Sequence, residues 1–114
     1  MKVIYKGRGG SFLAYGEYTD GKIMILKGST ISNKQMGNFK FSEGVAELRK
    51  PGGKNAIVDS TGMVVKDYLF SSASTAAQFV SGNSTNGLRA WKTEDGKSLG
   101  DTVGHNKRRN NKES

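Results

Sequence analysis

Catalytic chemistry has little to work with in this chain. His105 is the only histidine, and a Ser/His/Asp relay needs a rigidly held imidazole. His105 instead opens a polar, highly charged stretch. There is no cysteine, so disulfides and thiolate metal sites are excluded, and zinc has no set of Cys or His ligands to use. The carboxylates are scattered: Asp59 and Asp67 flank a predicted hairpin, and Glu94 and Asp95 fall in a predicted turn. A two-metal nuclease needs such groups gathered at one place. Neither Gly7-Arg8-Gly9-Gly10 nor Pro51-Gly52-Gly53-Lys54 has the spacing of a phosphate loop with a following helix. No enzyme activity, metal or cofactor is expected.

Anion and base recognition has more candidates. Ser72, Ser74 and Thr75 stand at the start of a predicted helix, where free N–H groups and the helix dipole favour a phosphate. Ser72 also reads as that helix's N-cap, and the two roles are compatible. Asn86 lies in an Asn-Gly turn signal beside them. Trp91 sits between Arg89 and Lys92. It stacks on an unpaired base if exposed and belongs to the core if not. On a strand, Arg89 and Trp91 share a face. The candidate nucleic-acid-binding set is therefore Ser72, Ser74, Thr75, Asn86, Arg89, Trp91 and Lys92. Lys2, Lys6 and Arg8 form a basic strip, and Lys107-Arg108-Arg109 another. Both read as non-specific electrostatic arms.

The elements that must hold these residues follow from composition and spacing. The chain has 114 residues, 34% of them hydrophobic, with a formal net charge of +8. That length suits one domain and one core. The 16 glycines imply many tight turns and short strands rather than a helical bundle. Ser11–Tyr18 alternates, with Phe12, Ala14, Gly16 and Tyr18 on one face and Leu13 and Tyr15 on the other. Asp20-Gly21 is a two-residue turn signal, and Lys22–Lys27 returns as an apolar strand. Apolar residues on both its faces predict a central, well-covered strand. Residues 28–41 are polar and read as a loop or a poorly formed helix.

Ser42 caps a short predicted helix that runs to Lys50 and stops at Pro51-Gly52-Gly53. A second hairpin pairs Ala56–Val58 with Met63–Val65 about Ser60-Thr61-Gly62. Ala73, Ala76, Ala77 and Val80 then recur at one helical face, with Ser72 as N-cap and Gly82 as C′ residue. Leu88–Lys92 reads as a strand, Asp95-Gly96 as a turn, and residues 98–103 as a short strand or helix. Residues 105–114 have no apolar anchor and read as a disordered basic tail. They carry a net +3, which leaves +5 for residues 1–104, an excess that attracts polyanions. Nothing near Met1–Arg8 resembles a signal peptide, and no apolar run approaches the ~20 residues of a membrane span. A cytoplasmic location is expected.

The segment from Phe70 to Gly82, with Asn86-Gly87-Leu88-Arg89-Ala90-Trp91-Lys92 behind it, resembles the RAMA domain, the restriction enzyme adenine methylase associated module. It is closer still to the related domain of unknown function found C-terminal to GIY-YIG nucleases. The shared pattern is an aromatic, Ser-x-Ser-x-Ala-Ala, a glycine, Asn-Gly, and a tryptophan with a basic neighbour. Leu26-Lys27-Gly28-Ser29 and Asp67-Tyr68-Leu69-Phe70 extend it, so that it covers roughly Phe12 to Leu99. Two positions depart from the family pattern: Ala73 stands for a proline, and Leu88 for an aromatic. No GIY-YIG motif is present. The resemblance implies DNA recognition, including modified DNA, in restriction–modification or nuclease systems.

The expectation is thus an α+β domain at 1–104, a small antiparallel sheet of hairpins with one main helix packed on it, serving as a non-enzymatic DNA-binding module. The alternative is a protein-interaction module that docks onto a nuclease or methylase. It requires an exposed apolar patch where the first requires a basic face.

Overall fold

Five short antiparallel strands form one sheet, and the helices cover only one of its faces. The computed structural model describes residues 1–32 and 40–104. The predicted basic tail lies outside the described residues, as does most of the polar 28–41 segment. The strands are β1 (Lys2–Lys6), β2 (Leu13–Thr19), β3 (Lys22–Ile25), β4 (Tyr68–Phe70) and β5 (Lys92–Thr93), in the order β4-β3-β2-β1-β5. The helices are α1 (Glu43–Leu48), α2 (Ala73–Ser81) and α3 (Gly87–Ala90), and a π-helical turn closes the fold at Gly100–Gly104. The fold is α+β, as the spacing predicts.

β1 is a strand that sequence reading treated only as a basic strip. Val3, Ile4 and Tyr5 favour strand, and alternation sends Val3 and Tyr5 inward while Lys2, Ile4 and Lys6 face out. Its register with β2 sets Ile4 opposite Tyr15 and Tyr5 opposite Ala14. The β2–β3 hairpin turns at Asp20-Gly21, both at positive φ (49° and 83°), as the turn type demands. β3 is interior to the sheet, but its expected cover exists on one side only. Ile23 and Ile25 are buried against α2, while Met24 on the opposite face is only half-buried.

Beyond β3 the chain takes a detour that side chains repair. Gly28 adopts φ 95°, which turns Ser29 back toward β2. The buried Ser29 Oγ accepts from Tyr15 N at 2.9 Å and donates to Tyr15 O at 3.3 Å. Thr30 Oγ1 accepts from Leu13 N at 2.8 Å. The second hairpin docks here. Its two arms meet at the isolated Val58–Val64 bridge rather than in full strands, because Val64 N also donates to Ser29 O at 2.7 Å.

α2 forms where its alanine spacing places it. Ser72 Oγ accepts from Thr75 N at 3.1 Å, and Gly82 ends the helix at φ 74°. Ala73, Ala76, Ala77, Phe79 and Val80 are buried against β3 and β4. The predicted strand at Leu88–Lys92 is a correction. Asn86 Oδ1 accepts from Leu88 N at 2.9 Å and caps α3, so the chain coils through Gly87–Ala90 and only Lys92–Thr93 pairs with β1. A local Asn cap competes directly with strand pairing, and here the cap prevails. The core lies between the sheet and α2, with Val3, Ile23, Ile25, Phe70, Phe79, Trp91 and Leu99 at its centre. Among the described residues, no helix is long and apolar enough to cross a membrane.

Candidate functional site

The predicted phosphate-binding hydroxyls are brought together, and each has a partner within the fold. Ser72 Oγ donates to Thr75 Oγ1 at 2.9 Å besides capping α2. Ser74 Oγ accepts from Gly87 N at 3.0 Å. This bond joins the first turn of α2 to the first turn of α3. The approach is so close that a Cβ on Gly87 would lie 2.1 Å from the Ala73 carbonyl carbon. Asn86 is exposed, and its side-chain oxygen caps α3.

Trp91 is wholly buried. Its Nε1 donates to Ala73 O at 3.1 Å, and its ring meets Tyr5 edge-on at 5.7 Å between centroids. Its placement as a base-stacking residue is therefore corrected: the ring has no free face, and its one donor is satisfied. The shared face proposed for Arg89 and Trp91 is corrected as well. Arg89 is exposed on α3, and the chain leaves the helix before Trp91 turns inward. Of the candidate set, Arg89 and Lys92 remain as exposed cations.

The carboxylates do not converge. Asp59 Oδ1 accepts from Thr61 N at 2.9 Å, from Met63 N at 3.1 Å and from the Thr61 hydroxyl. These bonds, the hydroxyl's first, hold its pKa below the ordinary aspartate value. Asp95 is held low chiefly by the Thr93 hydroxyl. Asp67 accepts from Lys27 N at 2.7 Å. Each braces a turn or a loop. Among the described residues, no group of three or more His, Cys, Asp or Glu is placed to hold a metal ion.

The outer face of the sheet is the surface that sequence reading missed. Cross-strand pairing aligns Lys92, Ile4 and Tyr15 in one row and Lys2, Glu17, Met24 and Leu69 in the next. Lys6 pairs with Leu13 and Lys22 with Thr19. Lysines thus dominate the face, and Glu17 is the one carboxylate among its strand residues. Its middle is apolar: Tyr15 is 41% exposed and Leu69 50%. The signal in the sequence is the Lys-x-Ile-x-Lys alternation of β1. It becomes a patch only when register adds Tyr15 on one side and Lys92 on the other.

Residues 4–103 match the family described as Domain of unknown function (DUF4357). The chain belongs to that family. The DUF4357 match takes in the outer-face residues Ile4, Lys6, Tyr15 and Lys92 and the whole α2–α3 junction. No curated protein and no solved structure matches the chain.

Proposed function

We propose that this chain is a non-enzymatic DNA-binding module that works beside restriction–modification or nuclease systems and reads DNA, including modified DNA. The observation that carries the reading is the sheet's outer face, where Lys2, Lys6 and Lys92 surround Ile4 on adjacent strands. Ammonium groups gathered on one rigid face draw in phosphates and release counterions. Arg89, exposed just before β5, adds to the same charge. The likeness of Phe70–Trp91 to RAMA modules supports the link to modified DNA and to methylases or nucleases, by analogy of family.

The direct test is fluorescence polarisation of labelled DNA across a salt series. Binding should be tightest at low salt and weaken steadily as salt rises. Absence of binding to any DNA at low salt sinks the reading. A specific observation also favours a second reading, docking onto a nuclease or methylase: Met24 and Leu69 make the β3–β4 half of the outer face apolar. Charge reversal separates the two. Arg89→Glu with Lys92→Glu should abolish DNA binding and spare an apolar dock, whereas Leu69→Asp should do the reverse.

A further inference from the structure

The outer face combines two features that few ligands match together, an apolar platform and a ring of ammonium groups. Tyr15 lies directly opposite Ile4, so Lys2 and Lys6 are its two diagonal neighbours across the strand pair. Diagonal neighbours stand about 7–8 Å apart, within reach of long side chains. Lys92 closes the far side of Ile4. The ring and the aliphatic floor are therefore bordered by cations on three sides. Tyr15 does not serve the core. Its side chain is 41% exposed, and its place in the sheet is fixed by backbone bonds to Ser29.

Duplex DNA fits this face poorly. The major groove is about 12 Å wide and admits a helix or a two-stranded ribbon. Five strands spaced about 4.8 Å apart make a face roughly 20 Å across. Such a face meets only the phosphate ridges, and the platform would stay in water. A second copy of the same face is opposed by lysine facing lysine. An unpaired strand offers what the face lacks: flat bases for the ring and phosphates for the lysines.

We propose that single-stranded DNA lies across the outer face, with a base stacked on Tyr15 beside Ile4 and its flanking phosphates at Lys2, Lys6 and Lys92. This rests on the DNA-binding reading above and narrows it to one form of DNA. The same surface explains why the hydroxyls at the α2–α3 junction can be spent on folding: the nucleic acid need not visit them.

The experiment uses the full chain and three labelled probes of equal length at one salt concentration: oligo(dT), a mixed-sequence duplex and oligo(U). Wild type should bind oligo(dT) at least ten-fold more tightly than the duplex. Tyr15→Ala should weaken oligo(dT) binding roughly ten-fold, the loss of one base–aromatic stack, and leave the duplex affinity unchanged. Tyr15→Phe keeps the ring and should retain wild-type affinity. Thermal melts of both variants verify that the fold survives. Equal affinity for single strand and duplex, with no effect of Tyr15→Ala, overturns this inference and leaves the DNA-binding reading standing. Tighter binding of oligo(U) than oligo(dT) overturns DNA as the ligand. No binding to any of the probes at low salt overturns both.

Discussion

Trp91 shows how one side chain changes the meaning of its neighbours. As an exposed ring beside Arg89 and Lys92 it suggested a base contact; as a buried ring it ties α2 to the end of the sheet through the Ala73 carbonyl. Trp91→Phe keeps most of the apolar volume and removes the donor. It should lower the free energy of unfolding by about 2 kcal/mol, the cost of leaving a buried carbonyl unpaired, as read from denaturant midpoints. DNA affinity of the folded variant should not change. Asp59 makes a second prediction at this scale. Its pKa is depressed in the fold, the Thr61 hydroxyl being the largest cause. A depressed carboxylate stabilises above its unfolded pKa and loses that contribution as pH falls through its folded value. The gap in melting temperature between wild type and Asp59→Ala should therefore be full at neutral pH. It should shrink below about pH 4, the ordinary aspartate range. A gap that stays constant down to strongly acidic pH contradicts the assignment.

At the scale of elements, the sharpest feature is the meeting of α2 and α3 over Gly87. Gly87→Ala drives a Cβ into the Ala73 and Ser74 backbone, at 2.1 Å from the Ala73 carbonyl carbon and 2.4 Å from Ser74 N. No side-chain rotation relieves a clash with backbone, so the cost should be on the order of 3 kcal/mol, the upper range for overpacking. Ser74→Ala should cost about 1 kcal/mol, because it removes only the acceptor for Gly87 N. Chemical denaturation of the two variants checks the order; a larger loss for Ser74→Ala reverses the argument. α2 was legible because caps and a 3.6-residue alanine face are local signals, and the β2–β3 hairpin because Asp-Gly fixes its turn. α3 was not: a strand and a capped helical turn compete over Leu88–Trp91, and the outcome depends on Gly87 fitting against α2, a contact 13 residues away in sequence. The strand character of Lys2–Lys6 was present in its residue types, but its charge masked it.

For the whole molecule, function depends on which face the chain leaves open. All the helices lie on one side of the sheet, and the open side carries both the apolar middle and the lysines of β1 and β5. None of this could be read along the chain. Tyr15 meets Ile4 from 11 residues away, and Lys92 joins them from the far edge by register alone. Two sources of positive charge then have to be told apart, the folded face and the Lys107-Arg108-Arg109 segment. Counterion release separates them, because each phosphate contact on a single strand contributes roughly 0.7 to the slope of log affinity against log salt. Lys2→Gln with Lys6→Gln should flatten that slope by about 1.4 on oligo(dT). It should also weaken the preference for oligo(dT) over duplex, since both lysines flank the stacking ring. Truncation after Gly104 should flatten the slope as well, but equally for single strand and duplex, because a basic arm reads only phosphate charge. If truncation removes the single-strand preference and the lysine pair does not, recognition belongs to the C-terminal segment and not to the sheet.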